Sequence, residues 1–356
     1  MSDHARGWKL RIGFRADASS ELGTGHLMRC RALARSLRRK GAEIAFFSGR
    51  LPEWLAGELR SDGFRYIRLD GAPDDPEPMK DALTREACGS YDWLVVDHYG
   101  WGERQESAVA PHVRHLMVID DLANRRHVCD LLLDQNDVLH IHERYMKLVP
   151  ASVRMLLGSR YALLRDEFSV ARKSLRPRDG HVRTLFVCFG GTDPTNETAK
   201  ALEALNADCF SELTIHLVVG RSHSRLDQII RLCENDSRIR LHIQTNQVAK
   251  LMAESDLALT SGGTITWERY CMGLPGLVIA VADNQKEIAM SGHRSGVDWY
   301  LGESRDVSMD QVRTALLEAM SDPERLRMAQ RAASERVDGC GADRVADIML
   351  KADEWR

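Results

Sequence analysis

Short apolar runs alternate along the chain with stretches in which apolar residues recur every three or four positions, the pattern of buried strands joined by amphipathic helices. In the first half the strand-like runs are 10–16, 43–48, 65–69, 93–97, 116–120, 131–134 and 155–157. Between the first two, residues 26–40 set Leu27, Cys30, Leu33, Ala34 and Leu37 on one face, which predicts a helix with that stripe buried. Arg35, Arg38, Arg39 and Lys40 at its end read as a solvated face that complements the helix dipole, more than as an anion patch. The second half repeats the pattern, with runs at 183–189, 213–219, 239–243, 257–260 and 277–281, each followed by a loop and a helical stretch.

Strands alternating with helices require right-handed crossovers and a parallel sheet covered on both faces. The expectation is an α/β chain with two doubly wound, Rossmann-like domains. The charged segment 173–183, with Pro177 and Gly180, marks the boundary between an N-terminal domain, 1–175, and a C-terminal domain, 176–356. The latter ends in a helical extension from about Asp322, with Pro323 at a helix start. Residues 72–81, with Pro73, Pro76 and Pro78 among acidic side chains, read as a surface loop. Domains of this kind bind ligands in crevices outside the carboxyl ends of their strands, here expected in a cleft between the two, so chemistry is sought in the loops that follow strands.

Composition narrows the function. The 356 residues carry 49 Lys plus Arg against 52 Asp plus Glu, a net charge of −3, which leaves no broad basic surface for nucleic acid. The longest apolar stretch, 274–282, is about half of the roughly 20 residues that span a bilayer, so no integral membrane segment is expected. Residues 1–11 are polar and lack the apolar centre of a signal peptide, which predicts a soluble, cytoplasmic protein. Eight cysteines, Cys88 among them, are scattered without a C-x-x-C pair and read as small buried hydrophobes. The histidine pairs His112/His115 and His140/His142 lack a third ligand at metal-site spacing, so neither a metal nor a cofactor is expected.

Polar residues cluster where strands end. The first strand leads through Arg15 and Asp17 to Gly23-Thr24-Gly25-His26-Leu27-Met28-Arg29. Glycines before a helix expose N–H groups at its N-terminus, which favours an anionic or electron-rich ligand there. His26 on the first turn is expected to stay neutral beside the positive end of the dipole and to accept a proton, with Asp17 nearby to orient it. A capping or packing role in the glycine turn is the alternative. Val96-Asp97-His98-Tyr99-Gly100 ends another strand with hydrogen-bonding groups suited to a sugar, or simply with an Asx-type turn. Asp120 and Asp121 form a weaker case of the same kind.

In the second half, Gly190-Gly191-Thr192-Asp193 opens a flexible loop before a helix. Thr260-Ser261-Gly262-Gly263-Thr264 offers backbone N–H groups to a diphosphate. Glu268 lies one helical turn beyond Thr264, where a carboxylate can accept from two ribose hydroxyls. The loop carrying Asp283, Asn284 and Gln285 brings amides to the same sheet edge.

Five of these motifs in order resemble a family. Residues 14–20 leading to Gly23-Thr24-Gly25-His26, together with Val96-Asp97-His98-Tyr99-Gly100, Tyr161-Ala162-Leu163-Leu164-Arg165-Asp166-Glu167-Phe168, Gly190-Gly191-Thr192-Asp193 and Asn284-Gln285, are similar to the PseG-type UDP-sugar hydrolases of pseudaminic acid biosynthesis. The resemblance runs from about residue 10 to about residue 300. The segment 245–281 is also similar to the nucleotide-binding half of the GT-B glycosyltransferase MurG. The resemblance implies a GT-B-like fold with UDP held mainly by the C-terminal domain. Thr245 to Val248 would border the uracil, Gly262 to Thr264 the diphosphate, with Ser261 beside them, and Glu268 the ribose. Gly191, Thr192 and Gln285 would line the same pocket.

The resemblance makes His26 the general base and Asn284 a substrate-binding residue, and suggests Arg15, Gly25, Arg29, His98 and Tyr99 around the sugar. The implied reaction is hydrolysis of UDP-2,4-diacetamido-2,4,6-trideoxy-β-L-altropyranose at the bond from the anomeric carbon to oxygen, without a metal. UDP is already a good leaving group, so the main demand is a base for the attacking water, with Asp17 or Asp97 orienting His26. The sequence departs from the family in its longer C-terminal extension and in a 261–268 loop closer to the transferase pattern. An inverting MurG-like UDP-sugar glycosyltransferase, in which His26 deprotonates an acceptor hydroxyl, is the alternative; a catalytically silent UDP-sugar-binding module is a third reading.

Overall fold

A computed structural model describes residues 10–19, 23–85 and 90–355. Cys88, Ser20 of the first glycine-loop motif and the polar segment 1–9 lie outside the described residues. The chain folds as two compact units. One holds the residues up to Asn136, His140–Leu163 and the stretch from Gly341 on; the other holds Asp137–Leu139 and Leu164–Cys340.

The first unit is a seven-stranded sheet of β1 (Arg11–Ala16), β2 (Glu43–Ser48), β3 (Arg65–Arg68), β4 (Tyr91–Asp97), β5 (Val113–Ile119), β6 (Leu131–Asp134) and β7 (Arg154–Leu157). Their order is β3-β2-β1-β4-β5-β6-β7, and every pair is parallel. Its helices are α1 (Gly25–Arg39), α2 (Glu53–Ser61), α3 (Glu77–Arg85), α4 (Glu103–Val109) and α5 (Ile141–Tyr145). Both faces of the sheet are covered. Ile12, Phe14, Trp93 and Val95 pack on the α1 side with Leu27, Cys30, Leu33 and Leu37, as the helical spacing predicted. Leu94, Val96 and Phe47 point the other way, toward Met79, Leu83 and Val109.

The second unit carries α6 (Asp166–Arg172), then β8 (Thr184–Cys188), α7 (Glu197–Leu205), β9 (Thr214–Val219), α8 (Leu226–Glu234), β10 (Ile239–Ile243) and α9 (Val248–Glu254). It continues with β11 (Leu257–Ser261), α10 (Ile265–Cys271), β12 (Gly276–Ala280), α11 (Lys286–Arg294), β13 (Trp299–Glu303), α12 (Met309–Ser321) and α13 (Pro323–Arg336). The sheet order is β10-β9-β8-β11-β12-β13, again all parallel. β13 escaped the sequence pattern. It is a half-buried edge strand whose Gly302 has φ 129°, and its register with β12 shifts between Val278 and Ile279, so no clean alternation marks it.

The last helix, α14 (Gly341–Leu350), was expected to extend the second domain and instead packs within the first unit. Val345, Ala346 and Met349 enter the β1–β4 core. Asp343 accepts from Ser36 Oγ and, at 2.9 Å, from Arg39 Nη2, while Asp347 pairs with Lys40 at 2.5 Å. Arg35 pairs with Asp62 at 2.6 Å, so the basic end of α1 is taken up by acidic partners, consistent with the solvated-face reading. Gly341 is obligatory: a Cβ there would sit 2.2 Å from the Ala162 carbonyl oxygen. Periodicity announces such a helix without saying which core receives its apolar face.

Cys30, Cys188 and Cys271 are buried as expected, but Cys209 and Cys340 are exposed. Among the described residues, no helix is long and apolar enough to cross a membrane, and no group of three or more His, Cys, Asp or Glu side chains is arranged to hold a metal ion.

Candidate active site

In the first sheet the strand order reverses between β1 and β4, which makes their carboxyl ends the topological switch point of the unit. The α1 N-terminus follows β1 through the Gly23 turn, whose φ is 72° and whose N–H donates to Ser19 O at 2.9 Å. That turn sets His26 on the first turn of α1, above the end of β4. There His26 Nδ1 lies 2.6 Å from Asp97 Oδ1. Arg29, one turn further along α1, donates from Nε to Asp97 Oδ2 at 2.6 Å and from Nη2 to Asp97 Oδ1 at 2.7 Å. Arg29 Nη2 is also 3.2 Å from His26 Nδ1, but its shorter bond goes to the carboxylate.

This geometry fixes the imidazole. A buried carboxylate accepts only, so neutral His26 carries its proton on Nδ1 and keeps the Nε2 lone pair for another partner. The His26 side chain is 12% exposed, whereas Asp97 is 1% exposed. Burial alone would raise the Asp97 pKa; the Arg29 charge and the contacts with Arg29 and His26 outweigh it and hold the carboxyl well below the usual range. Tyr99 stands edge-on to the imidazole, with ring centroids 4.4 Å apart at 87°. Burial and neighbouring Asp121, to which its hydroxyl is bonded, push the Tyr99 pKa up, so this phenol is a donor. Asp121 also accepts from Arg29 Nη1 at 2.9 Å. His26, Arg29, Asp97, Tyr99 and Asp121 thus form one network, to which sequence reasoning contributed all but a firm place for Asp121.

Other expected site residues of this unit are committed elsewhere. Asp17 does not orient His26. It pairs with Arg15 (Nη2 to Oδ2, 2.9 Å), accepts from Ser48 Oγ at 2.7 Å and from the Gly49 and Arg50 N–H groups at 2.9 and 3.1 Å, and faces His98 Nε2 at 3.2 Å. These bonds outweigh burial and keep its carboxyl well below the usual range. Asp17 therefore ties the ends of β1 and β2 together. Arg15 is buried under Trp101, 5.4 Å from the ring, and donates to Pro73 O at 2.9 Å. His98 uses its second nitrogen to accept from the Gly100 N–H at 3.1 Å. Arg15, Arg29 and His98 brace buried carboxylates. Gly25 begins α1 and supplies backbone only. Asp120 is enclosed by Arg125, Tyr145 and His127 and held at about 2 by the His127 and Arg125 contacts against burial.

In the second sheet the order reverses between β8 and β11, and parallel pairing carries the loops after β8, β11 and β12 to one edge. Gly191 and Gly220 meet there backbone to backbone; a Cβ on Gly220 would lie 2.2 Å from the Gly191 carbonyl oxygen. Ser224 N–H donates to Thr192 O at 3.4 Å. Asp193 caps α7 by accepting from the Glu197 and Thr198 N–H groups at 3.0 and 2.8 Å. Thr245 accepts from the Gln247 N–H at 3.1 Å and so shapes the turn into Val248 at the start of α9.

The Ser261-Gly262-Gly263-Thr264 turn behaves differently from the expectation in one respect. Gln285 Oε1 accepts from both the Gly262 and Val281 N–H groups, each at 3.1 Å, so Gly262 is occupied within the protein. Among the described residues, no acceptor takes the Gly263 and Thr264 N–H groups. Gln285 therefore latches two loops together, and the amides that remain for an anion are the next two. Asn284, half-buried, sits in the same loop. Glu268 lies on α10, its side chain 20% exposed, and its Oε1 accepts from Arg165 Nη2 at 3.1 Å. Arg165 was legible only as part of the 161–168 motif, and nothing in its spacing pointed to Glu268.

One seven-stranded and one six-stranded parallel sheet, each with crossover helices, make up the GT-B architecture. MurG of Acinetobacter baumannii matches it with a TM-score of 0.65 at 12% identity, covering 97% of this chain and 100% of that one. The spinosyn rhamnosyltransferase SpnG complexed with thymidine diphosphate matches with a TM-score of 0.62 at 12% identity, over 95% and 99%. No family model matches the chain. In sequence it is similar to the UDP-2,4-diacetamido-2,4,6-trideoxy-β-L-altropyranose hydrolase of Campylobacter jejuni, 27% identical over 284 residues, 79% of this chain and 95% of that one. It is also similar to the spore coat polysaccharide biosynthesis protein SpsG of Bacillus subtilis, 23% identical over 344 residues, 96% and 98% of the two chains. An uncharacterized protein of Methanocaldococcus jannaschii is 23% identical over 286 residues; the match takes in 78% of this chain and spans little more than half, 57%, of that relative. The resemblance read from the five motifs is thus found again along most of the chain.

Proposed function

We propose that this protein is a UDP-sugar hydrolase acting on a UDP-linked diacetamido-trideoxy sugar, in the manner that its Campylobacter jejuni relative's name describes, and that it serves nonulosonate biosynthesis of the pseudaminic acid type. The observation that carries the reading is the 2.6 Å contact of His26 Nδ1 with buried Asp97, which leaves Nε2 as a proton acceptor. A water held by Nε2 attacks the anomeric carbon. Its oxygen forms the new carbon–oxygen bond, its proton passes to Nε2, and the electron pair of the cleaved bond leaves with the diphosphate. Asp97 stabilises the imidazolium that results. Positioned base catalysis of this kind contributes ~10²–10⁴-fold. A single displacement inverts the anomeric configuration.

In this reading the second unit holds the nucleotide. Thr245 and Val248 border the uracil, the Gly263 and Thr264 N–H groups with Ser261 and Thr192 receive the diphosphate, Glu268 takes the ribose, and Asn284 contacts the sugar side. Backbone dipoles stabilise the departing charge without a basic surface. The test is release of UDP from a panel of UDP-linked amino sugars by purified protein without any acceptor. The expected result is acceptor-independent UDP release by the wild type and its loss in His26→Gln, with UDP binding retained. UDP release that requires an added acceptor would make the protein an inverting glycosyltransferase; UDP binding without turnover in the wild type would make it a binding module.

A further inference from the structure

We infer that Arg165, at the entry to α6, is a positioning residue that makes the nucleotide site select ribose over 2′-deoxyribose; this rests on the reading that Glu268 receives the ribose. The guanidinium is held on three sides. Nη2 donates to Glu268 Oε1 at 3.1 Å, Nη1 pairs with Glu167 Oε1 at 2.9 Å, and the plane lies over the Phe168 ring, 5.2 Å from its centroid. The helix that Arg165 opens is itself fastened along α10. Arg172, at its far end, donates from Nη1 to Cys271 O and from Nη2 to Ser334 O, both at 2.6 Å. A strap anchored at both ends therefore delivers the arginine to Glu268, the one carboxylate on α10.

The chemistry of the pair explains what the strap does. A glutamate on a short helix has three side-chain torsions to settle before it can receive a ligand, and one salt bridge from a pre-placed guanidinium settles them. With Oε1 taken by Arg165, Oε2 is presented as the acceptor, and a cis diol offers two donors to it where 2′-deoxyribose offers one. Arg165 also holds the Glu268 carboxylate in place in the absence of the diol. The same architecture holds thymidine diphosphate, a deoxyribonucleotide, in SpnG. Selection for ribose has to come from side chains added to the fold, and here those are Glu268 and the arginine that aims it.

Isothermal titration of the full-length protein with UDP and with 2′-deoxy-UDP tests this. The wild type is expected to prefer UDP by about tenfold or more, the size of one hydrogen bond to a charged group. Arg165→Gln is expected to lower UDP affinity toward that of 2′-deoxy-UDP, leaving a preference of less than about threefold, as in Glu268→Gln. Arg165→Lys, which keeps the charge on a flexible stem, should fall between them and serves if the glutamine variant does not fold, as judged by its thermal transition. A folded Arg165→Gln that keeps the full preference, or binds UDP more tightly than the wild type, overturns the inference. A wild type without any preference would instead remove Glu268 from the ribose, which is the failure of the underlying reading.

Discussion

Replacing Asp97 with Asn removes the negative charge at the centre of the His26 network while preserving its shape. Asp97 accepts three short hydrogen bonds, from His26 Nδ1, Arg29 Nε and Arg29 Nη2, at 2.6, 2.6 and 2.7 Å. Asparagine has one acceptor oxygen, so its amide must face a donor, either Arg29 Nε or the His26 and Arg29 Nη2 pair. Arg29, buried, then keeps Asp121 as its one carboxylate partner among the described residues. Breaking a buried ion pair from one side costs 3–5 kcal/mol, and the remaining Asp121 partner puts the expected loss near the lower end, about 3 kcal/mol. For a unit of this size that lowers its melting transition by roughly 6–12 °C. Turnover, measured well below that transition, should fall by ~10³–10⁴-fold because the imidazole loses both its tautomer and its counter-charge.

Acid should bring the stabilities of the two proteins together. The folded Asp97 carboxyl sits below its unfolded value of about 3.9, so it contributes stability that is fully present above about pH 4 and is lost as pH falls toward the folded value. The gap between wild type and Asp97→Asn should therefore narrow below about pH 4. An Asp97→Asn protein that melts with the wild type and keeps more than a tenth of its turnover would refute the reasoning.

Asp17→Asn should destabilise the first unit in calorimetry and lose acid dependence in the same direction as Asp97→Asn, because Asp17 too is held below the usual range; UDP affinity by titration should not change. Gln285→Ala frees the Gly262 and Val281 N–H groups from their shared acceptor and should weaken UDP binding about tenfold, with a melting transition within a few degrees of wild type. Asp298→Asn removes the charge that pairs with fully buried Arg269 and leaves one acceptor oxygen for two sets of donors, Arg269 Nη1 with the Gly276 N–H and Arg269 Nη2 with the Tyr270 hydroxyl, and should cost 3–5 kcal/mol of stability by denaturant titration.

Most of the fold was legible because buried parallel strands leave dense apolar runs, and twelve of the thirteen strands fall on runs identified from sequence. β13 did not, since an edge strand exposed on one side with a glycine at positive φ carries no such run. The C-terminal helix was legible as a helix but not as part of the first unit, because an apolar stripe such as Val345, Ala346 and Met349 does not name its partner. At the site, His26 and Asp97 stood out as polar residues at strand ends, and the structure joins them. Arg15, Arg29 and His98 carried the same signal and turn out to brace buried carboxylates, because sequence shows that a polar group is near a strand end but not which way it faces. Gln285 was expected beside the ligand, and its Oε1 latches Gly262 to Val281, a contact that no local pattern announces. Asp121 and Arg165 act through partners 92 and 103 residues away, Arg29 and Glu268, contacts that no local pattern encodes.

The central claim is that His26 directs a water to the anomeric carbon in a single displacement. Proton NMR of the first sugar released from the β-linked UDP-diacetamido-trideoxy sugar, recorded before mutarotation and without acceptor, measures this directly. The account predicts the α anomer together with UDP. First appearance of the β anomer, or no free sugar until an acceptor is added, would contradict it.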